Sequence, residues 1–599
     1  MSDTTNPEEV IIIPQGKVRC YITGELRNDK PEERVRQNVL RSLVEEYGYL
    51  KDDIQPEFSI KMGSSRKAVD VAIFEEGSDH IQENIYLICE TKHEKVSPSD
   101  KKEGVAQLES YVAACLNTEF ALWVGSERLP YSVKSIDSHR SLVEIPDIPK
   151  AGENDIPRPT RADLVPAVNL KKVFKRIHNY IYANQGFQKP EAFEELLKII
   201  FVKVFDEQFS PNLKFYTQHP DEDIEAVYQR ITDLFGSVQA RYQYIFKPNE
   251  EIALNKNVLN YVVSELQRFS FIETETDIKG EAYEELVGPN LRGDRGEFFT
   301  PRNLCNMTVE MVFNLFNKED LSTPGRIKIL DPACGTGGFL ISCLQALKSI
   351  YYERGVRSER LKQIVKEVAE NNIYGVDFNP FLVNVAQMNM VMHGDGSTNV
   401  VHANSLNVPD NWNNEASEVL NLNTYDIIVT NPPFGTKSLI TEPSILEEFE
   451  IARNSNGLPP EQLFIERCLQ LLKPGGILGI VLPDSILTNP GLIELRNWIS
   501  ANSQIIASID LPSEMFQPST GTQTSVLILK KITGANNNSG NIFMAIPKMV
   551  GHDKRGNPIY VTTPEGEIEV DETGLEIIDD HLPIIPEVFD DWLKAKGIK

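Results

Sequence analysis

Asn431, Pro432, Pro433 and Phe434 end an apolar run, Asp426-Ile-Ile-Val-Thr430, and their types suit one kind of chemistry. The run reads as a buried strand stopping at a rigid loop. Two prolines remove two N–H donors, so the loop offers carbonyl oxygens rather than amides. Asn431 adds a side-chain carbonyl and Phe434 a flat apolar face. The amide oxygen of Asn431 and the carbonyl of Pro432 can each accept one proton of an exocyclic NH2 on a planar ring, with Phe434 stacked on that ring. An aromatic amine is a poor nucleophile because its lone pair is delocalised. Two acceptors favour a pyramidal nitrogen and free the lone pair to attack a methyl sulfonium. That is preorganisation toward a transition state, with no covalent enzyme intermediate. Four residues alone also suit an ordinary strand-to-loop turn.

A second group lies upstream. Ile327-Lys-Ile-Leu330 reads as a short buried strand running into Asp331-Pro332-Ala333-Cys334-Gly335-Thr336-Gly337-Gly338, where a helix starts. The glycines let a ligand approach the backbone at a helix N-terminus. The spacing is neither GxGxxG nor GxxxxGK[ST], so a dinucleotide or a nucleoside triphosphate fits poorly. Ile373-Tyr-Gly-Val-Asp377 is a second strand with an acid at its tip, able to accept both hydroxyls of a ribose. A third contact is expected at Ala403-Asn404-Ser405-Leu406.

A third group lies near the N-terminus. Asp70 falls in a strand at 66–74, and Glu90 and Lys92 end another at 85–92. Glu90 and Lys92 share a face because the side-chain period of a strand is two. Two carboxylates can hold Mg2+, and a nearby lysine can orient or deprotonate water. Gln107 and Tyr111 follow on one face of a helix. The bland alternative is a pair of strands with charged ends.

Asn431–Phe434 resembles the Asn-Pro-Pro-Phe/Tyr signature of amino-group DNA methyltransferases, especially adenine-N6 enzymes. Asp331–Gly337 matches their Asp-Pro-x-Cys-Gly-x-Gly motif. The stretch 278–286 running into Arg295-Gly-Glu-Phe-Phe299-Thr300-Pro301-Arg302 resembles the helical region and entry motif of type I modification subunits. The resemblance implies S-adenosylmethionine as cofactor, held by Phe299, Thr300, Pro301, Asp331, Pro332, Ala333, Gly335, Thr336, Gly337, Asp377, Asn404 and Asn431. It implies Asn431, Pro432, Pro433 and Phe434 as the catalytic set. Asn404 stands where the family usually has Asp; an amide still binds adenine's edge but adds no charge.

The N-terminal segment resembles the PD-(D/E)xK nuclease fold, in particular that of type I restriction subunits. The match runs through the Pro31-Glu32-Glu33-Arg34-Val35-Arg36-Gln37 helix and the Gln107…Tyr111 helix. It implies Asp70 and Glu90 as Mg2+ ligands, Lys92 as the water-positioning base, Gln107 as a further site residue and Glu33 in the metal's outer shell.

Elements alternating as strand and helix predict an α/β protein with a doubly wound, Rossmann-like methyltransferase sheet. The expected order is a nuclease-like domain at 1–128, a proline-rich linker at 129–165, a helical domain at 166–295, the methyltransferase domain at 296–550 and a C-terminal tail at 551–599 suited to subunit docking. A chain of 599 residues is long enough for several cores. Its net charge of −27 is unexpected for a nucleic-acid enzyme, because phosphate contacts dominate such affinities. A basic groove within an acidic surface, together with a partner that grips DNA, reconciles the two.

No large base-reading domain and no P-loop is visible, so a separate specificity subunit is the expected partner on double-stranded DNA, with a restriction/translocase subunit a further candidate. Seven scattered cysteines without metal spacing, and no signal or membrane-spanning run, point to a cytoplasmic protein. The expected function is adenine-N6 DNA methylation in a restriction–modification or phage-defence system, with Mg2+-dependent cleavage as a second activity. Rival readings are a pure methyltransferase whose N-terminal module is silent, a methylation-sensing nuclease, and methylation of a protein glutamine.

Overall fold

The computed structural model describes residues 11–597 except 15, 137–138, 154–157, 168, 219–220, 244, 248, 275–299, 394–398, 436–438, 519, 533–539 and 572–575. Phe299 and most of the expected entry motif lie outside the described residues. The chain forms two compact units, one of residues 1–290 with 562–576 and one of 291–561 with 577–599.

In the first unit, helix α1 (Pro31–Glu45) precedes strands β1 (Ile54–Met62), β2 (Ser65–Phe74) and β3 (Ile85–Thr91). Helix α2 (Val105–Ala114) leads to β4 (Phe120–Val124), β5 (Arg128–Ile136) and β6 (His139–Glu144). The six strands form one sheet in sequence order, antiparallel except for the β3–β4 pair. Valines, isoleucines and leucines fill both faces, with Trp123 fully buried.

The stretch 129–144 is therefore not linker but the end of this sheet. Pro130's carbonyl accepts from Ile145 N–H just past the end of β6, so its missing donor faces the strand's end and breaks no β4 bond. Helices α3 (Leu170–Gln185), α4 (Lys189–Phe209), α5 (Ile224–Arg241) and α6 (Lys256–Leu266) follow. They do not stand apart as a separate domain. Tyr261 of α6 joins the same core as Trp123, Leu129 and Tyr131, and a buried ionic network crosses the junction. In it Arg128 meets Asp147 at 2.5 Å, Arg176 meets Glu265 at 2.5 Å, and Arg268 meets Glu46 at 3.1 Å.

The second unit opens with α7 (Arg302–Phe313), β7 (Ile329–Asp331), α8 (Gly338–Glu353), β8 (Ile373–Asp377), α9 (Pro380–His393) and β9 (Val400–His402). It continues with β10 (Tyr425–Thr430), α10 (Pro460–Leu471), β11 (Leu472–Pro483), β12 (Ser503–Asp510), β13 (Thr524–Lys531) and β14 (Phe543–Ala545). The eight strands lie in the order β9-β8-β7-β10-β11-β13-β12-β14, with β13 antiparallel to both neighbours and the other pairs parallel. This is a Rossmann-like, mostly parallel doubly wound sheet. The chain runs outward from β7 on one side and from β10 on the other, so the crevice at their carboxyl ends is the topological switch point where such sheets bind ligands.

The last residues do not hang free as a tail. Helix α11 (Ile585–Ala595) buries Phe589 and Leu593 completely in the core of this unit. Asn314 Nδ2 donates to Pro586 O at 3.1 Å. The spacing of Ile585, Phe589 and Leu593 at i, i+4 and i+8 makes the apolar stripe that docks it.

Candidate active site

Three strand ends bring the expected residues together. Asp331 closes β7, Asp377 closes β8, and Thr430 closes β10 just before Asn431. The turn after β7 is tied to its neighbour by Cys334 N–H to Val376 O at 2.9 Å. Asp377 then fixes the glycine loop directly: Oδ2 accepts from Gly335 N–H at 2.9 Å and Oδ1 from Asn379 N–H at 2.8 Å. Asn389 of α9 donates to Thr336 O at 3.1 Å from the other side.

Gly337 caps α8 in the left-handed region at φ +84°, with Ala386 Cβ 3.4 Å from where its own Cβ would sit. Gly337→Ala is expected to destabilise this unit by roughly 1–2 kcal/mol from the backbone alone, which a denaturant titration would register; an unchanged midpoint would contradict the capping role.

Asp331 is 1% exposed. Burial, with Asp377 nearby, pushes its carboxyl up to about 7; a cation beside it would draw that value back down.

Asn431 sits at the centre. Its Nδ2 donates to Thr300 Oγ1 at 3.0 Å, so the Thr300-Pro301 turn is brought to the Asn-Pro-Pro-Phe loop across 131 residues of sequence. Asn431 Oδ1 is buried and has no hydrogen-bond partner among the described residues. A buried carbonyl left unmatched costs about 1–3 kcal/mol, and an incoming N–H donor would recover it. Phe434 is buried and meets Phe516 edge-on at 6.2 Å. Gly435 (φ +138°) ends the loop, its N–H directed to Glu461 Oε2 at 3.4 Å. Asn404 turns its Oδ1 onto Leu406 N–H at 3.0 Å and so shapes its own loop.

Sequence reasoning passed over several contributors. Arg467 of α10 is fully buried. Its Nη2 donates to Leu406 O and Asn407 O at 3.3 and 3.1 Å, pinning the loop that carries Asn404. Glu461, whose carboxyl burial pushes up, anchors Gly435. Phe378, 62% exposed beside Asp377, stacks near His402 at 6.3 Å. Its signal was an aromatic residue directly after a strand-tip acid.

The expected nuclease residues also converge. The β2–β3 register of Val71 with Cys89 sets Asp70 against Glu90. Asp70 N–H donates to Glu90 Oε1 at 3.1 Å, and Thr91 N–H to Asp70 Oδ2 at 2.8 Å. Lys92 Nζ lies 2.9 Å from Glu90, 3.6 Å from Asp70 and 3.7 Å from Glu32. Arg36 of α1 bridges Asp70 at 2.7 Å and Glu33 at 2.8 Å. Glu33's other oxygen takes Gln37, so the Glu33 carboxylate is directed to side chains of its own helix. Gln107 Nε2 donates to Tyr111 OH at 2.7 Å, and that phenol feels Glu90, Lys92 and Asp70.

Burial and the neighbouring Asp70 push Glu90 up to about 8. Among the described residues no trio of His, Cys, Asp or Glu is arranged for a metal. Every oxygen of the pair is engaged, Asp70 by Arg36 and Thr91 N–H and Glu90 by Lys92 and Asp70 N–H, so an Mg2+ ion held by these two carboxyl groups would have to displace Arg36 and Lys92.

Among the described residues no helix is long and apolar enough to cross a membrane. All seven cysteines are buried.

Residues 274–559 match the family described as N-6 DNA Methylase, and residues 31–149 that described as Type I restriction enzyme R protein N terminus. The type I restriction enzyme EcoEI methylase subunit of Escherichia coli is 27% identical over 283 residues, 46% of this chain and 51% of that protein. The type II restriction enzyme and methyltransferase RM.BcgI of Heyndrickxia coagulans is 29% identical over 219 residues, 36% of this chain and 28% of that protein. The chain thus spans about half the length, or less, of these curated relatives. A type I restriction-modification methyltransferase subunit from Streptococcus thermophilus superimposes with a TM-score of 0.45 at 17% identity, over 72% of this chain and 93% of that one.

Proposed function

We propose, for a chain that joins an N-6 DNA methylase domain to a type I restriction R N-terminal domain, that the second unit methylates the N6 amine of adenine in double-stranded DNA. The observation that carries this reading is the buried, unmatched Oδ1 of Asn431 at the strand-tip loop. S-adenosylmethionine, when bound, supplies the methyl group on a sulfonium centre. Asp377, whose carboxylate also accepts from Gly335 and Asn379 N–H, takes the ribose hydroxyls. Asp331, whose buried carboxyl gains from a cation, faces the methionine end together with Thr300, Pro301 and the glycine loop from Pro332 to Gly337.

The target base is too deep in a duplex to reach Asn431, so it must be flipped out, which costs a few kcal/mol of unstacking. The Asn431 and Pro432 carbonyls then take the two amine protons, Pro433 stiffens the turn, and Phe434 closes on the ring.

With a net charge of −27, the chain is expected to take help in gripping DNA. The proposed partners are a specificity subunit and a restriction/translocase subunit, in a restriction–modification or defence setting inside the cell. Transfer of labelled methyl to plasmid DNA, by this chain with its specificity partner, tests the reading; label on protein glutamine and none on DNA would overturn it.

For the first unit the proposal is Mg2+-dependent DNA cleavage, with Asp70 and Glu90 as ligands and Lys92 positioning the water. A second reading, a silent docking module, draws on Arg36 and Lys92 already engaging both carboxyl groups. Nicking that needs Mg2+ and is lost in Asp70→Ala would exclude it.

The proton on Glu90 makes a sharper test. The folded carboxyl keeps its proton up to about pH 8, and ligation requires its release. Mg2+ affinity should therefore rise by up to tenfold per pH unit below pH 8 and level off above it. Calorimetry that finds a flat profile from pH 6 to 9 would contradict Glu90 as a ligand.

A further inference from the structure

An amide differs from a carboxylate in having two unlike sides. Asn404 carries an acceptor on one side and a donor on the other, and turning the group over exchanges them. A freely turning amide therefore suits either pattern on a purine edge, the acceptor ring nitrogen of adenine or the ring N–H of hypoxanthine. To tell the two apart, it must be held one way round.

The loop after β9 does hold it. Leu406 N–H donates to Asn404 Oδ1 at 3.0 Å, so the NH2 side faces away from that bond. Asn407 N–H donates to Asn404 O at 3.1 Å and closes the turn. The lock is as firm as the Leu406 peptide, and that peptide is fixed from α10. Arg467 Nη2 donates to Leu406 O and Asn407 O at 3.3 and 3.1 Å. On the other flank Ser405 Oγ donates to Pro332 O at 2.6 Å, tying the turn to the glycine loop.

Arg467 is fully buried, with its guanidinium over Phe449 at 4.8 Å and Trp412 at 5.6 Å. Its Nε has no hydrogen-bond partner among the described residues. Burial lowers its pKa to about 10, so it stays charged at neutral pH and makes the stronger, charge-assisted kind of hydrogen bond. A buried cation with an unmatched N–H costs stability, and what it secures is the two carbonyls of the Asn404 turn.

We propose that Arg467 is a positioning residue for cofactor selectivity. By fixing the Leu406 peptide it keeps Asn404 turned as a donor toward the acceptor ring nitrogen of adenine, and a purine with N–H at that place is refused. The inference rests on S-adenosylmethionine being the cofactor. Loosening the peptide frees the amide to turn over, and the hypoxanthine form is then accepted. A mere brace for the fold would act otherwise, weakening both purines alike.

The test is calorimetry on the full chain with S-adenosylhomocysteine and with S-inosylhomocysteine, its hypoxanthine form. Wild type is compared with Arg467→Met, Arg467→Lys, Asn404→Ala and the Arg467→Met/Asn404→Ala double variant. The wild type should prefer the adenine form, and Arg467→Met should lower that preference by about five- to tenfold. Arg467→Lys ends one bond short of the two carbonyls and should lower it by about twofold; it carries the test if the methionine variant does not fold. Asn404→Ala should lose the preference as well, and adding Arg467→Met to it should change the ratio no further. A wild type without preference, a ratio unchanged in the folded Arg467 variants, or one lowered equally with and without Asn404 overturns the positioning role and leaves the cofactor reading in place. No binding of S-adenosylhomocysteine to the wild type overturns both.

Discussion

Asn431→Ala is expected to lower methyl transfer to DNA by about 10²–10³-fold while cofactor affinity changes by no more than a few-fold. The reason lies in what the residue does at each stage. In the resting site its Nδ2 only braces Thr300, and a hydroxyl released from that bond finds water. Its Oδ1 is the buried acceptor that the amine meets as charge develops, and removing one such preorganised group typically costs 10²–10³ in rate. The loss should fall on kcat more than on KM. Asn431→Asp, which keeps an acceptor in place and lets Thr300 reverse its hydroxyl, should retain more activity than the alanine variant. Single-turnover transfer on a duplex containing the recognition site, with cofactor binding measured in parallel, separates the two stages. A variant that binds cofactor a hundredfold more weakly and transfers normally at saturation would move Asn431 from the chemistry to the cofactor.

Asp377→Ala should give the opposite split. Its carboxylate already accepts from Gly335 and Asn379, so it shapes the glycine loop before any ligand arrives. Charge-assisted hydrogen bonds contribute roughly 1.5–3 kcal/mol each, so losing two to a ribose implies a fall in cofactor affinity of about 10²–10⁴-fold. The loop amides lose their acceptor too, and the variant's denaturation midpoint should drop. Asp377→Asn keeps the geometry and one acceptor, and should fall between. Calorimetric titration of S-adenosylhomocysteine into the three proteins reads the effect. Equal affinities would remove Asp377 from the cofactor site.

Much of this site was legible in the sequence because its residues sit at strand tips. A buried parallel strand announces itself as an apolar run, and the residue that stops it is placed by the backbone, not by distant packing. Asp331, Asp377 and Asn431 are all of this kind, and the sheet order sets them side by side. The nuclease-like cluster was legible for the same reason, as the two-residue period put Glu90 and Lys92 on one face.

What was not legible depends on contacts far apart in the chain. Pro130 and the prolines after it read as connector, because single-chain propensity does not reveal that a proline can sit where its neighbour strand ends. The separation of nuclease-like and helical segments failed because Tyr261 and the Arg268–Glu46 and Arg128–Glu265 pairs fuse them. Arg467 has no sequence signature; a buried arginine that pins two carbonyls looks like any surface cation until the loop it holds is in place. Arg36 is similar. Its helix was expected, but not its grip on Asp70. The final helix read as tail because its apolar stripe was short and came after a polar stretch.

The measurement that bears most directly on the central claim is the chemical identity of the methylated product. The full chain, with a specificity partner and labelled S-adenosylmethionine, would be incubated with plasmid DNA, and the digested nucleosides separated by mass spectrometry. The expected product is N6-methyldeoxyadenosine at a fixed motif, absent with Asn431→Ala. N4-methyldeoxycytidine in its place, or N6-methyldeoxyadenosine formed equally by the variant, would contradict the assignment of Asn431 and its loop to an adenine amine.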